Sequence, residues 1–162
     1  MHALFLLGPP RLTTPVATLR LERRPAAVCA WLAIEGPTSR QRLAGLLWPD
    51  SGDIAARANL RQLLRRLRAA GADVVEGGSV LALRSDLSVD VLRGSAVDLP
   101  PVLEGADRGD LLEGCDYDDA PDLADWLAAA REDLQRLRLR ALDSEADRLE
   151  RAGALAQALP LA

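Results

Sequence analysis

Apolar and polar positions along the chain change period from one segment to the next. ALFLLG at residues 3–8 is a short apolar run ended by Gly8-Pro9-Pro10, which predicts a strand closed by a turn. VATLRL at 16–21 alternates and carries a β-branched start, predicting a second short strand. RPAAVCAWLAIEG at 24–36 shifts to helical spacing. Pro25 suits a first helical turn and Gly36 suits the position just past a helix end. PTSRQRLAGLLW at 37–48 predicts a second helix. Thr38 followed by Gln41 fits a capping box, and Leu43, Leu46 and Leu47 form the apolar face. Pro49 and Gly52 in WPDSGD (48–53) forbid simple continuation, and Ser51 or Asp53 is placed to cap a third helix over about 53–70, ended by Gly71. DVVEGGSVLAL at 73–83 reads as a hairpin about Glu76-Gly77-Gly78-Ser79, and LSVDVL at 87–92 either adds a strand or leads out of the unit.

Beyond residue 95 the period is helical. Residues 122–153 hold it for some 30 positions, with Trp126, Leu127, Leu134, Leu137 and Leu142 as core candidates. ALAQALPLA at 154–162 begins a further apolar segment, and from it we expect the chain to be one piece of a longer protein. Gly, Ser and two prolines cluster in GSAVDLPP at 94–101, predicting a boundary. The expected class is α+β, with an N-terminal unit over 1–95 and a helical unit over 96–162.

Charge sharpens this division. The chain is net −4, yet residues 1–95 carry 13 arginines against 8 acids and residues 96–162 carry 7 against 16. A basic half joined to an acidic half is a sequence-level hint of a nucleic-acid-facing unit. The basic charge is concentrated in ARANLRQLLRRLRAAG at 56–71, with five arginines and no acid. On a wheel at about 100° per residue with Arg57 at zero, Arg61, Arg65 and Arg68 fall within about 80° of it. Leu60, Leu63, Leu64 and Leu67 occupy another arc, at roughly 240–340°, and Asn59, Gln62 and Arg66 lie at about 140–200°. One face is thus a leucine stripe to be buried; the rest is a broad arc of long donors. The acids that ordinarily pair with such arginines one turn away are missing between Asp53 and Asp73.

Other chemistries find little support. His2 is the sole histidine, which leaves no Ser-His or Cys-His arrangement, and no phosphate-cradling glycine loop occurs; we expect no enzyme and no cofactor. EGCDYDDAPDLAD at 113–125 clusters carboxylates without the spacing or the glycine of a calcium loop, so it reads as a solvated acidic loop before the helix that starts near Asp122, not as a metal site. Cys29 and Cys115 are far apart and fit idle thiols in a reducing compartment. No run approaches the ~20 apolar residues of a membrane span, and a signal-peptide n-region is lacking, so the expectation is a cytoplasmic protein with no membrane partner.

RLAGLLWPDSGDIAARANLRQLLRRLR (42–68) resembles the winged-helix segment of the SARP-type bacterial transcriptional activators, the antibiotic-regulatory-protein family. RRPAAVCAWLAIEGPTSRQRL fits that family's first two helices, and VDVLRG (89–94) resembles its exit from the wing. LLEGCDYDDAPDLADWLAAAREDLQRLRLRAL (111–142) looks like the start of the bacterial transcriptional activator domain, a bundle of tetratricopeptide-like helices. The resemblance implies an OmpR/PhoB-like winged helix-turn-helix that binds promoter DNA and helps to recruit RNA polymerase.

The residues in turn nominate an interface with double-stranded DNA. Helix 53–70 would supply Arg57, Arg61, Arg65 and Arg68 as one stripe, with Asn59, Gln62 and Arg66 adjoining. Ser39 and Arg40 at the start of the second helix, Arg23 and Arg24 from the first, and Arg84 beside the hairpin are candidates for phosphate. The resemblance also implies a polymerase contact at the WPDSGD loop, for which Asp50 and Asp53 are candidates, while Trp48 is expected in the core. The acidic half is expected to pack against the basic one and orient it, or to mediate homodimer or polymerase contacts. A second reading is a protein–protein adaptor without DNA binding. Arginines capped by acids of the C-terminal half would favour it or an autoinhibited state; a continuous positive face combining helix 53–70, Arg40 and Arg84 would favour DNA.

Overall fold

The computed structural model describes residues 2–91 and 109–151, apart from the side chain of Leu149. The predicted boundary at 94–101 and the apolar segment 154–162 lie outside the described residues. The chain is a mixed α+β protein. Strands β1 (His2–Phe5), β2 (Arg11–Thr13) and β3 (Thr18–Arg20) lead into helices α1 (Arg23–Ile34), α2 (Arg40–Leu47) and α3 (Asp53–Ala69), with β4 (Thr38–Ser39) just before α2. Strands β5 (Val75–Glu76), β6 (Val80–Leu83) and β7 (Leu87–Val89) follow, and then α4 (Pro121–Arg151).

Two sheets frame the helices. One runs β3-β2-β1-β7, antiparallel except that β7 lies parallel to β1, with His2 opposite Leu87 and Leu4 opposite Val89. The Asp90 carboxylate ends that pairing by accepting from the backbone N–H groups of Leu6 (2.7 Å) and Leu7 (3.2 Å). The other sheet runs β4-β6-β5, where Val75 faces Leu83 and Thr38 faces Leu81. The 73–83 hairpin therefore forms as its sequence predicts. Gly77 permits its tip: φ is +114°, and a Cβ there would collide with the Val80 carbonyl.

The helix ends follow local rules, with corrections. Gly36 ends α1 at φ +81°, donating to the Leu32 carbonyl at 3.1 Å. The capping box predicted at Thr38 does not form. Thr38 is drawn into β4, where its hydroxyl accepts from Trp31 Nε1 (3.0 Å) and donates to the Gly36 carbonyl (2.9 Å), and Ser39 becomes the cap by accepting from the Arg42 N–H. Neither Ser51 nor Asp53 caps α3: Gly52 holds that position with no side-chain bond, and Asp53 sits in the first turn, where a negative charge favours the helix dipole. Gly71, at φ +79°, closes α3 by donating to the Arg68 carbonyl while Ala72 donates to that of Leu67. The predicted strand at 3–8 stops at Phe5, and β2 is an addition that the sequence pattern did not announce.

One apolar core spans both halves. Leu4, Leu6 and Leu12 of the sheet region, α1 from Ala26 to Ala33, and Leu60, Leu63, Leu64 and Leu67 of α3 share it with Leu111, Leu112, Tyr117, Leu123 and Leu127. Segment 109–113 is stitched to the first strand region: Leu112 donates to the Leu6 carbonyl (2.8 Å), Gly8 to that of Asp110 (2.8 Å), and Glu113 to that of Gly8 (3.1 Å). Leu112 takes φ +51° although fully buried. Its carbonyl is held by Arg131 (3.2 Å), so both of its backbone groups are pinned in a conformation that leucine rarely adopts.

Candidate nucleic-acid interface

Helix α3 is positioned by its leucines. Leu60, Leu63, Leu64 and Leu67 are buried against α2 and α1, and this fixes which way the remaining side chains point. Arg57, Asn59, Arg61, Gln62, Arg65, Arg66 and Arg68 are all exposed. The α2–turn–α3 unit is tight: the Trp48 N–H donates to Ala44 and the Ser51 N–H to Trp48 before α3 begins. Trp48, expected in the core, is half-buried at its edge with the Arg24 guanidinium 5.2 Å over its ring.

The predicted site residues divide by what holds them. Arg61, Arg65 and Arg66 have no acidic partner among the described residues. Arg57 turns back to the Asp53 carbonyl of its own helix (3.2 Å). Arg68, at the other end of α3, meets Asp73 at 2.9 Å, and Arg84 holds Asp86 in a two-pronged pair (2.9 and 2.8 Å) with Asp73 at 4.0 Å. The hydrogen bonds from Arg84 hold the Asp86 carboxyl below its ordinary range. Arg40 binds the hairpin tip through the Gly78 and Gly77 carbonyls, and the Arg40 N–H donates to Ser79, so the start of α2 and the hairpin are one unit. Asp50 and Asp53 are exposed.

Arg23 and Arg24 are a different case. Both guanidiniums converge on Asp119 of the acidic half: Arg23 at 2.7 and 2.6 Å to its two oxygens, Arg24 at 2.7 Å. Arg23 also donates to the Asp116 carbonyl (2.8 Å), and the Tyr117 hydroxyl donates to the Arg23 carbonyl (2.6 Å). The hydrogen bonds from Arg23, with both positive charges nearby, hold the Asp119 carboxyl below its usual range. Nothing in the sequence marks Asp119 as their partner, since about 95 residues separate them.

The arc Asn59, Gln62 and Arg66 is separated from the arginine stripe in a further way. It forms one wall of an open cleft of about 560 Å³, whose other wall comes from Leu19 to Pro25 and whose floor includes Leu63 and Leu67. Arg20, which sequence reasoning passed over, lines the same cleft and has no acidic partner among the described residues.

Chemically, the outer face of α3 offers planar guanidinium donors suited to phosphate oxygens and to the acceptor pair on guanine. Among the described residues no three histidine, cysteine, aspartate or glutamate side chains converge as metal ligands, and no helix is long and apolar enough to cross a membrane. Burial pushes the Cys29 thiol up to about 12. Set against known proteins, the chain matches no family model and no curated sequence.

Proposed function

We propose that this protein is a sequence-specific double-stranded DNA-binding transcriptional regulator of the SARP type, an activator that lays α3 in the major groove. In this reading β4, the three helices and the β5–β6 hairpin are a winged helix-turn-helix, α2 and α3 being its two helices and the hairpin its wing. The acidic half is then the beginning of a tetratricopeptide-like activator domain. The protein is neither an enzyme nor a membrane protein, works in the cytoplasm without a cofactor, and offers Asp50 and Asp53 to RNA polymerase.

One observation carries the reading: the exposed guanidiniums of Arg61 and Arg65 on α3, without an acidic partner among the described residues, on a helix flanked by a tight turn and a glycine-tipped hairpin. Phosphate contacts would then come from Ser39 and Arg40 at the start of α2 and from the rim of α3, and base contacts from the few α3 side chains that point deepest into the groove.

The test is fluorescence anisotropy of a labelled duplex against salt. We expect log K to fall by about 0.9 for each phosphate contact per log unit of salt. An Arg61→Ala/Arg65→Ala variant should bind more weakly with a shallower slope. Binding without a salt slope, or an unaffected double variant, overturns the reading.

A second reading, the adaptor module, draws on the capture of Arg23 and Arg24 by Asp119. It differs in outcome: an adaptor would show no duplex binding even after Asp119→Asn.

A further inference from the structure

Of the five large apolar side chains on α3, four are buried leucines and the fifth, Ile54, is 82% exposed. A lone exposed apolar residue is ordinary on a protein surface; its position makes this one informative. On the wheel that sets Arg57 at zero, Ile54 falls at about 60°, inside the stripe of Arg57, Arg61, Arg65 and Arg68. It heads that stripe in the first turn of α3. Its surroundings are bare: Gly52 precedes it with open space where a Cβ would stand, and Ala55 and Ala58 follow on the exposed side. Asp53 lies about 100° round the helix from Ile54, and its backbone carbonyl accepts from the Arg57 guanidinium one turn on.

Resting on the DNA-binding reading above, we infer that Ile54 is a specificity-determining residue that packs on the C5-methyl group of a thymine at one end of the recognised site. Three physical points converge. The first residues of a helix seated in the major groove are those that meet base edges. The thymine methyl is the only apolar group displayed there, and apolar side chains select it by contact. Small neighbours allow the helix backbone to come close, so that a side chain of isoleucine's length reaches the groove floor. The arginines further along the stripe then read acceptors, and Ile54 adds one position at which a methyl group is demanded. A phosphate would gain nothing from this side chain.

The experiment replaces thymine by deoxyuracil, which deletes only the methyl. Duplexes that bind the full chain tightly are enriched from a random pool; each thymine of the enriched site is then exchanged singly. Kd is measured for the wild type and for Ile54→Ala. Withdrawing one methyl from apolar contact corresponds to about a fourfold loss of affinity. We expect that loss at one thymine for the wild type and no loss at the same thymine for Ile54→Ala. Ile54→Val should retain part of the sensitivity. Because Ile54 is exposed, the variant's thermal transition should match the wild type's, which separates a contact from a folding defect. Wild-type indifference to every exchange, an enriched site without thymine, or undiminished sensitivity in Ile54→Ala overturns the inference while leaving DNA binding intact. Failure to enrich any duplex overturns the DNA-binding reading itself, and the inference with it.

Discussion

The arginines of α3 and those at the start of α1 are chemically alike and have opposite fates. Arg61 and Arg65 extend from a helix whose buried leucines leave them facing solvent, with no acidic partner among the described residues. Arg23 and Arg24 sit where the acidic half docks, and a single carboxylate, Asp119, takes both. The difference lies in the packing: Leu111, Leu112, Leu123 and Leu127 carry the acidic half onto the shared core and bring Asp119 with them. A count of arginines therefore overstates the free positive surface of the basic half. What matters is which guanidiniums the tertiary fold leaves unpaired.

Breaking the docking should disturb the contrast most. Leu123 is fully buried, so Leu123→Ala should cost about 2–5 kcal/mol of stability. Because the core is shared, chemical denaturation followed by circular dichroism should show one transition moving as a whole. Two separated transitions would mean that the halves unfold independently.

The next effect tests the open side. Removing two of the free guanidiniums in Arg61→Ala/Arg65→Ala should weaken duplex binding by at least tenfold and lower the salt slope by about 2. The same change at Arg23 and Arg24 should do much less, since Asp119 already holds both guanidiniums and cancels one of their two charges. Equal losses from the two pairs would erase the distinction.

Asp119→Asn sharpens the comparison from the other side. It releases Arg23 and Arg24, so duplex affinity should rise by a few-fold, most visibly at low salt where exposed charges are least screened. An unchanged Kd at low salt would show that α1 stays out of reach of the phosphates even when unclamped.

The smallest effect is on pH. Asp119 has its carboxyl held below the ordinary 3.8, so its contribution is fully present above that value and is lost as the pH falls through the lowered one. The calorimetric melting midpoint of Asp119→Asn should therefore approach that of the wild type as the pH is taken below about 3.8. A constant gap across that range would assign the stabilisation to packing.

Much of α3 was readable from residue order alone. The leucine spacing gives its buried side, Gly71 gives its end, and Glu76-Gly77-Gly78-Ser79 gives the hairpin, because each is a local signal. Other parts depend on partners distant in sequence. β2 is three residues long and exists because β1 and β3 flank it. β7 completes the sheet only by lying along β1, some 85 residues earlier. Thr38 has the local grammar of a helix cap, yet Trp31 and β6 claim it first. The acidic loop at 113–125 was legible as exposed carboxylates before a helix; that one of them seizes two arginines was not, because no local pattern records a contact made across the fold.

The junction between the halves also carries its own optical signature. Trp31 of α1 and Trp126 of α4 stand with ring centroids 4.8 Å apart and planes tilted by 41°, and the Trp126 indole donates to Glu35 at 3.0 Å. Two indoles so close and so tilted couple their electronic transitions. Separation of α4 from α1 would extinguish that coupling, leaving Trp48 as the only other tryptophan. The protein thus holds a native chromophore pair whose signal follows the seating of one half upon the other without any added label.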